Sequence, residues 1–303
     1  MSAPASVTVR VPASTSNCGS GFDTLGLALT LPGRVTVSRR AAGGRAAGRA
    51  MADAAAAAFF ARTGLAPFPF SHTIQGGVPP GRGLGSSAIV RVGVIAGLNA
   101  LTGAGLASRQ IIELATALEG HPDNAAAAVL GGFCVSRTSP INGAYLDSVR
   151  LTVSPDLAFV VVAPREEIRT DESRGALPKR VPHGDAVKSL NAAAFLVAVM
   201  ATREYAKLRH AVADFLHEPY RLPSIPGGRE AVDAGVAAGA LTGWLSGSGS
   251  GVLCVCEAAA APIVRAAMTA TLARAGAGKR GGLAAAGGGS WILAADNNGL
   301  VVE

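Results

Sequence analysis

At 303 residues, with 49% hydrophobic and only 16% charged residues, the chain has the composition of a folded protein large enough for two domains, which excludes a disordered one. The formal net charge of +7 does not mark a nucleic-acid binder, because the arginines are scattered without basic runs and aromatics are only 5%; it suits a small anionic substrate. Cys18, Cys134, Cys254 and Cys256 show neither Cys-x-x-Cys nor metal-ligand spacing, so they read as reduced, buried thiols.

Residues 1–14 lack a basic start followed by an apolar core, and the longest apolar run, residues 192–201, is too short to cross a bilayer. A cytoplasmic protein with no membrane or nucleic-acid partner is expected. Residues 6–11 alternate as a strand, with Val7, Val9 and Val11 on one face, and Pro12 is expected to end it. After a polar, glycine-punctuated loop over 13–23, residues 25–31 are apolar and a second strand is expected near 34–38. Residues 41–50 are low-complexity Gly/Ala/Arg and read as a connection. A helix is expected over 52–62 with Gly64 as its stop, then a strand over 70–75.

A helix with Val90, Val94, Leu98 and Leu101 at helical spacing is expected over 87–101, another over 108–119 with Ser108 as N-cap, and a third over 123–130 ended by Gly131-Gly132. Strands follow near 133–137, 147–153 and 157–163. Composition shifts at Ser154-Pro155, which suggests units of 1–154 and 155–303. The second unit reads as a charged loop over 165–179, a long helical region over 185–217 broken near 206–210, a helix over 229–240, strands over 241–246 and 251–257, a helix near 263–275 and a strand over 290–295. That pattern suits a small open α/β sandwich.

The most informative segment is Pro79-Pro80-Gly81-Arg82-Gly83-Leu84-Gly85-Ser86-Ser87-Ala88, which runs straight into an expected helix. Glycines allow a tight turn, and the unpaired N–H groups and positive dipole end of a helix start make an anion cradle. Residues 83–88 fit the G-x-G-x-x-G/A dinucleotide pattern, but Pro79-Pro80 precede them and the first acid downstream is Glu113. That spacing fails the dinucleotide rule, and no Gly-Lys-Ser/Thr follows as in a P-loop. A phosphate-binding loop of another design remains, beside the plainer reading of a tight turn with a capping serine.

Three segments together resemble the homoserine kinases of the GHMP kinase superfamily: residues 11–29, from Val11-Pro12-Ala13-Ser14 through Asn17 and Asp23 to Leu29; the cradle; and residues 118–132, opening Leu118-Glu119-Gly120-His121-Pro122-Asp123-Asn124. Leu216-His217-Glu218-Pro219-Tyr220-Arg221 and Leu245-Ser246-Gly247-Ser248-Gly249-Ser250-Gly251 extend the likeness through most of the chain. The resemblance implies an α+β, two-domain GHMP kinase fold, with an N-terminal ribosomal-S5-domain-2-like ATP domain and a C-terminal ferredoxin-like α/β sandwich. It implies ATP-dependent phosphorylation of the L-homoserine hydroxyl, a step of threonine biosynthesis, and is compatible with a homodimer. A sibling small-molecule kinase, or a non-catalytic nucleotide-binding protein of the same fold, is the alternative.

By the same resemblance, residues 79–88 wrap the ATP phosphates, Ser87 and Glu119 hold Mg²⁺, and Asn124 lies beside the transferred phosphoryl group. Asn17, Asp23, His121, Thr170, Arg174 and Arg221 form the homoserine pocket. The chemistry is coherent, since a zwitterion needs a carboxylate for its ammonium and guanidinium groups for its carboxylate. Read alone, the same residues have plainer roles: Asn17 and Asp23 tying a loop, His121 capping a helix, Glu119 and the arginines on a solvated surface. Cys18, Ser20 and Ser250 depart from the family pattern, Ile89-Val90-Arg91 is bulkier than expected, and residues 39–54 look shortened where the adenine is held.

Overall fold

The computed structural model describes residues 4–39, 48–276 and 288–303. The low-complexity stretch lies mostly outside the described residues, as does half of the shortened segment expected near the adenine. Two antiparallel sheets carry the fold. The first has the order β10-β1-β2-β4-β5, with β3 (Ser71–Gly76) also paired to β2. It is built from β1 (Ser6–Ser16), β2 (Leu25–Ser38), β4 (Phe133–Thr138), β5 (Tyr145–Leu151) and β10 (Val301–Val302).

Pro12 does not end β1. Pro12 and Pro32 face each other, and the next pair is Ala13 with Leu29, so β2 accommodates Thr30 and Leu31 as extra residues there. Two prolines lacking N–H donors meet at one irregularity, and the ladder resumes beyond it. The segments expected as a loop and two short strands are thus one long hairpin, whose far end brings Ser14 and Ser16 to the site.

Helices α1 (Arg49–Thr63), α2 (Ser86–Thr102), α3 (Ser108–Glu119) and α4 (Asp123–Leu130) accompany this sheet. Helix α2 lies so close to β2 that a Cβ on Gly93 would stand 2.5 Å from Val35 Cγ2. Ser108 is the first residue of α3 rather than its cap. Ala107 holds the cap position, and Gln110 Oε1 accepts the Ala107 N–H at 2.9 Å, so the side-chain help comes from inside the helix.

The second sheet has the order β7-β8-β6-β9, from β6 (Leu157–Ala163), β7 (Thr242–Leu245), β8 (Val252–Glu257) and β9 (Gly289–Leu293). Strand β6 is apolar throughout because both its faces are covered. Phe159 and Val161 join Leu25, Leu27, Phe133 and Leu196 in a core between the sheets. Val160 and Val162 pack with Val232 of α8 (Gly228–Ala237) and Met268 of α9 (Ala261–Gly276).

Within the expected charged loop, residues 170–175 form a helical turn, α5 (Thr170–Gly175). The long helical region ends early: α6 (His183–Thr202) stops at left-handed Arg203, and a 3-10 turn, Tyr205–His210, follows. By length and composition alone α6 could cross a membrane, although no run of apolar residues within it is that long. In the fold its Leu196, Val199 and Met200 are buried in the core between the sheets. A short helix, α7 (Glu218–Arg221), starts where Asp214 Oδ2 accepts the N–H groups of His217 and Glu218 at 2.8 and 2.7 Å.

Candidate active site

The cradle closes over the start of α2. Gly81, Gly83 and Gly85 are all left-handed, with φ of 63°, 67° and 68°. At Gly83 the requirement is absolute, since a Cβ there would stand 1.8 Å from Ser246 O. Ser246 Oγ donates to Gly83 O at 2.7 Å, and Ser14 N donates to Leu84 O at 3.2 Å. The loop is therefore fixed between the turn after β7 and strand β1.

A cavity of about 480 Å³ opens beside it, lined by Pro80, Gly81, Gly83, Gly85, Ser86 and Ser87 of the cradle. Pro79, Arg82, Leu84 and Ala88 do not line it. Leu84 is buried in the core between the sheets, and the Arg82 guanidinium turns inward, donating to Pro80 O at 3.0 Å and to Arg165 O. Burial lowers the Arg82 pKa despite Glu167 and Glu166 nearby. These contacts tie the guanidinium to the loop's own backbone and to Arg165 O.

Ser87 and Glu119 come from different helices and meet: Ser87 Oγ donates to Glu119 Oε2 at 3.1 Å. Two adjacent ligands of an octahedral Mg²⁺ at 2.0–2.1 Å stand about 3 Å apart, so this pair of hard oxygens fits that ion. The Glu119 side chain is only 6% exposed, unlike a surface glutamate, and Arg91 forms an ion pair with its other oxygen.

Asn124, in the first turn of α4, is held from three sides. Ser14 Oγ donates to its Oδ1 at 2.8 Å, its Nδ2 donates to Ser16 Oγ at 3.0 Å, and its backbone N–H reaches Asp123 Oδ1 at 2.6 Å. Asp123 Oδ1 also meets His121 Nδ1 at 2.6 Å. Burial opposes charge on both partners, but their mutual attraction and hydrogen bond prevail, raising the His121 pKa and lowering that of Asp123. Asp23, His121 and Asp123 offer ligand atoms within 4.8 Å of one another, a cluster suited to a cation.

The third wall is basic and aromatic. Asp23 and Arg174 form an ion pair at 2.6 Å. Both arginines stand over the Phe22 ring, Arg174 at 5.4 Å and Arg221 at 5.1 Å from its centroid, and His217 stacks against it at 5.2 Å. Arg221 is 3% exposed, and burial, with the like charge of Arg174, lowers its pKa to about 10. It stays charged near neutrality. Asn17, with φ 67°, donates through Nδ2 to Gly247 O at 3.0 Å and accepts the Asp23 N–H at 3.1 Å, which sets the turn that presents Asp23. Thr170 Oγ1 lies 3.4 Å from Ser248 Oγ at the exposed rim.

The GHMP kinases N terminal domain family matches residues 49–132 and the GHMP kinases C terminal family matches 196–274. The homoserine kinase of Moorella thermoacetica is 41% identical over 279 residues, covering 88% of this chain and 93% of that protein. That of Gloeobacter violaceus is 39% identical, covering 87% and 92%. The chain belongs to the homoserine kinase family of the GHMP kinases. The crystal structure of homoserine kinase from Cytophaga hutchinsonii superposes with a TM-score of 0.85 at 25% identity, covering 100% of this chain and 99% of that one. The fold is accordingly the α+β, two-domain GHMP kinase fold.

Every residue that the resemblance assigned to the pocket of this family member lines the one cavity. Ser14, Ser16, Phe22 and Asp123 belong to the same site without having been singled out. For the two serines a signal existed, because strand alternation places residues two apart on one face. Phe22 and Asp123 sit beside assigned residues inside quoted motifs, but only the fold shows that one stacks under two guanidinium groups and the other anchors His121.

Proposed function

We propose that this protein phosphorylates the side-chain hydroxyl of L-homoserine with ATP, giving O-phospho-L-homoserine on the route to threonine. The observation that carries this reading is the opposition, within one cavity, of a glycine cradle to a pocket holding both a carboxylate, Asp23, and two guanidinium groups, Arg174 and Arg221. A sugar or an isoprenoid alcohol has no use for both signs of charge, whereas an amino acid does.

In this reading the backbone N–H groups of residues 81–87 and the dipole of α2 hold the β- and γ-phosphates. Ser87 and Glu119 hold Mg²⁺, which when bound neutralises charge on the phosphate oxygens. Asp23 takes the substrate ammonium while Arg174 and Arg221 take its carboxylate, so the hydroxyl points toward Asn124. Asn124 cannot accept a proton at neutral pH, and with Ser14 and Ser16 fixing its amide its part is orientation. Asp123 is held below its usual pKa by His121, and its Oδ1 is already taken by His121 and Asn124, which makes it a poor general base. Transfer through a loose, in-line transition state calls for positioning more than for a base, and the rigidity of Asn124 serves that.

The units 1–154 and 155–303 would then be the nucleotide domain and the C-terminal sandwich, with β10 returning to the first sheet. Adenine would lie near Met51, which lines the cavity. A cytoplasmic location and a homodimer complete the reading on the family resemblance. The test is ATP turnover across L-homoserine, L-serine, galactose and mevalonate. Preference for L-homoserine is expected, and equal or better turnover of a non-amino-acid alcohol would overturn the substrate assignment.

A further inference from the structure

Ser87 and Arg91 stand four positions apart on α2, so they share one face of that helix, and both reach Glu119 at the end of α3. Ser87 Oγ donates to Glu119 Oε2 at 3.1 Å, and Arg91 Nη1 forms an ion pair with Oε1. All three residues line the cavity. The two charged side chains are only 19% and 6% exposed, so the pair lies largely out of solvent. Arg91 Nε is buried with no hydrogen-bond partner among the described residues. Among the described residues, Glu119 is the group that pairs with the guanidinium.

Both oxygens of the carboxylate that suits Mg²⁺ therefore already have partners from α2, and one of those partners is a cation. A divalent ion can use the full charge of Glu119 only when that guanidinium moves off, since two cations at one carboxylate in a weakly screened site repel each other. We propose that Arg91 is a resident counter-cation of the metal site: it neutralises Glu119 in the ligand-free protein and competes with the divalent ion for it, so that Arg91 sets how much metal the enzyme requires. This rests on the reading of Ser87 and Glu119 as the metal pair. Arg91 acts through Glu119 and is a positioning residue, not one that meets the reacting atoms.

The test is Mn²⁺ affinity measured by electron paramagnetic resonance, with the full-length protein in excess over β,γ-methylene-ATP so that the nucleotide is bound. Arg91→Met is expected to lower the Mn²⁺ Kd at least about tenfold, and Arg91→Lys to leave it within about threefold. Without ligand, Arg91→Met should lower Tm by leaving the Glu119 charge without its counter-cation, and Mn²⁺ with the analogue should raise Tm further in this variant than in the unaltered protein. If Arg91→Met does not fold, Arg91→Gln keeps an amide donor for Glu119 without the charge and is expected to tighten Mn²⁺ in the same sense. Glu119→Gln separates the two ideas. If it weakens Mn²⁺ while neither neutral variant at position 91 tightens it, the metal pair stands and the role of Arg91 falls. If Glu119→Gln leaves Mn²⁺ affinity unchanged, the metal pair is wrong and the proposal for Arg91 falls with it.

Discussion

Asp23 and Arg174 pair with each other at 2.6 Å, although 151 positions separate them in the chain. The pocket thus carries its own carboxylate and guanidinium in contact, both about one-third exposed. A zwitterionic substrate can exchange into this pair, offering its ammonium to Asp23 and its carboxylate to Arg174, so neither protein group loses a partner on binding. An analogue lacking one charge leaves one of them stranded.

Arg221 should contribute more per contact, being almost fully buried behind Phe22. Arg221→Ala is expected to raise the KM for L-homoserine at least about tenfold, given that 1.36 kcal/mol is tenfold and that losing one member of a buried charged contact costs about 2–5 kcal/mol. The KM for ATP should stay nearly constant. Steady-state kinetics in both substrates check this, and parallel losses would place Arg221 in the support of the fold.

Glu218 gives the protein a pH-dependent stability. Burial pushes its pKa from 4.5 up to about 7, although Leu245 N donates to Oε1 at 2.6 Å and Arg229 pairs with Oε2 at 3.3 Å. A carboxyl whose folded pKa is raised binds its proton more tightly in the native state, so stability falls as pH rises from the unfolded value through the folded one. The full effect is on the order of 3 kcal/mol. Glu218→Gln is always neutral and retains an acceptor for Leu245, so its urea-unfolding free energy should fall less between pH 5 and pH 8 than that of the unaltered protein. An identical pH slope in both would remove Glu218 as the cause.

The parts of the site legible in the sequence are those where function is written in short segments. The glycines at 81, 83 and 85 announced their turn, and the short Glu119-to-Asn124 segment carried three assigned residues, Glu119, His121 and Asn124, in one motif. Strand β6 was legible because burial on both faces leaves it unbroken apolar. Pro12 misled because a local rule, that proline ends a strand, yields where a second proline lies opposite on the neighbouring strand. The helical turn at 170–175 is short and charged, so no apolar period marks it; it is held by tertiary contacts such as Ser173 Oγ donating to Ser248 O at 2.9 Å. Arg91 stood out as a departure from the family pattern, but its partner lies on another helix and only the fold pairs them.

His121 depends on Asp123 for its charge and its orientation. Asp123→Asn removes the carboxylate that outweighs burial, so the His121 pKa, raised in the unaltered protein, should fall, as followed by NMR titration of the ring. The same change leaves the Asn124 backbone N–H a neutral amide oxygen in place of the carboxylate that accepts it at 2.6 Å, a weaker bond. With Asn124 less firmly placed, kcat should drop on the order of 10²-fold, more than KM for either substrate changes. A normal kcat alongside a lowered His121 pKa would show that the protonation of His121 has no part in turnover.

Gly64 and Gly83 separate the cost of backbone strain from the cost of a clash. Both are left-handed, with φ of 68° and 67°, but a Cβ on Gly64 meets nothing within 4 Å, whereas one on Gly83 would stand 1.8 Å from Ser246 O. Gly64→Ala should therefore cost only the left-handed penalty of an L-residue, roughly 1–2 kcal/mol. At Gly83 the obstacle is backbone, fixed by Ser246 Oγ on Gly83 O and by Ser246 N on Gly251 O at 3.0 Å, so it cannot swing aside as a side chain would. Gly83→Ala should force the cradle away from the turn after β7, costing clearly more stability than Gly64→Ala and weakening ATP-analogue binding, which Gly64→Ala leaves intact. Urea unfolding and nucleotide titration of the two variants measure this. Equal costs, with nucleotide affinity preserved in both, would mean that the cradle slides freely over residues 246–251 and owes its shape to the helix start alone.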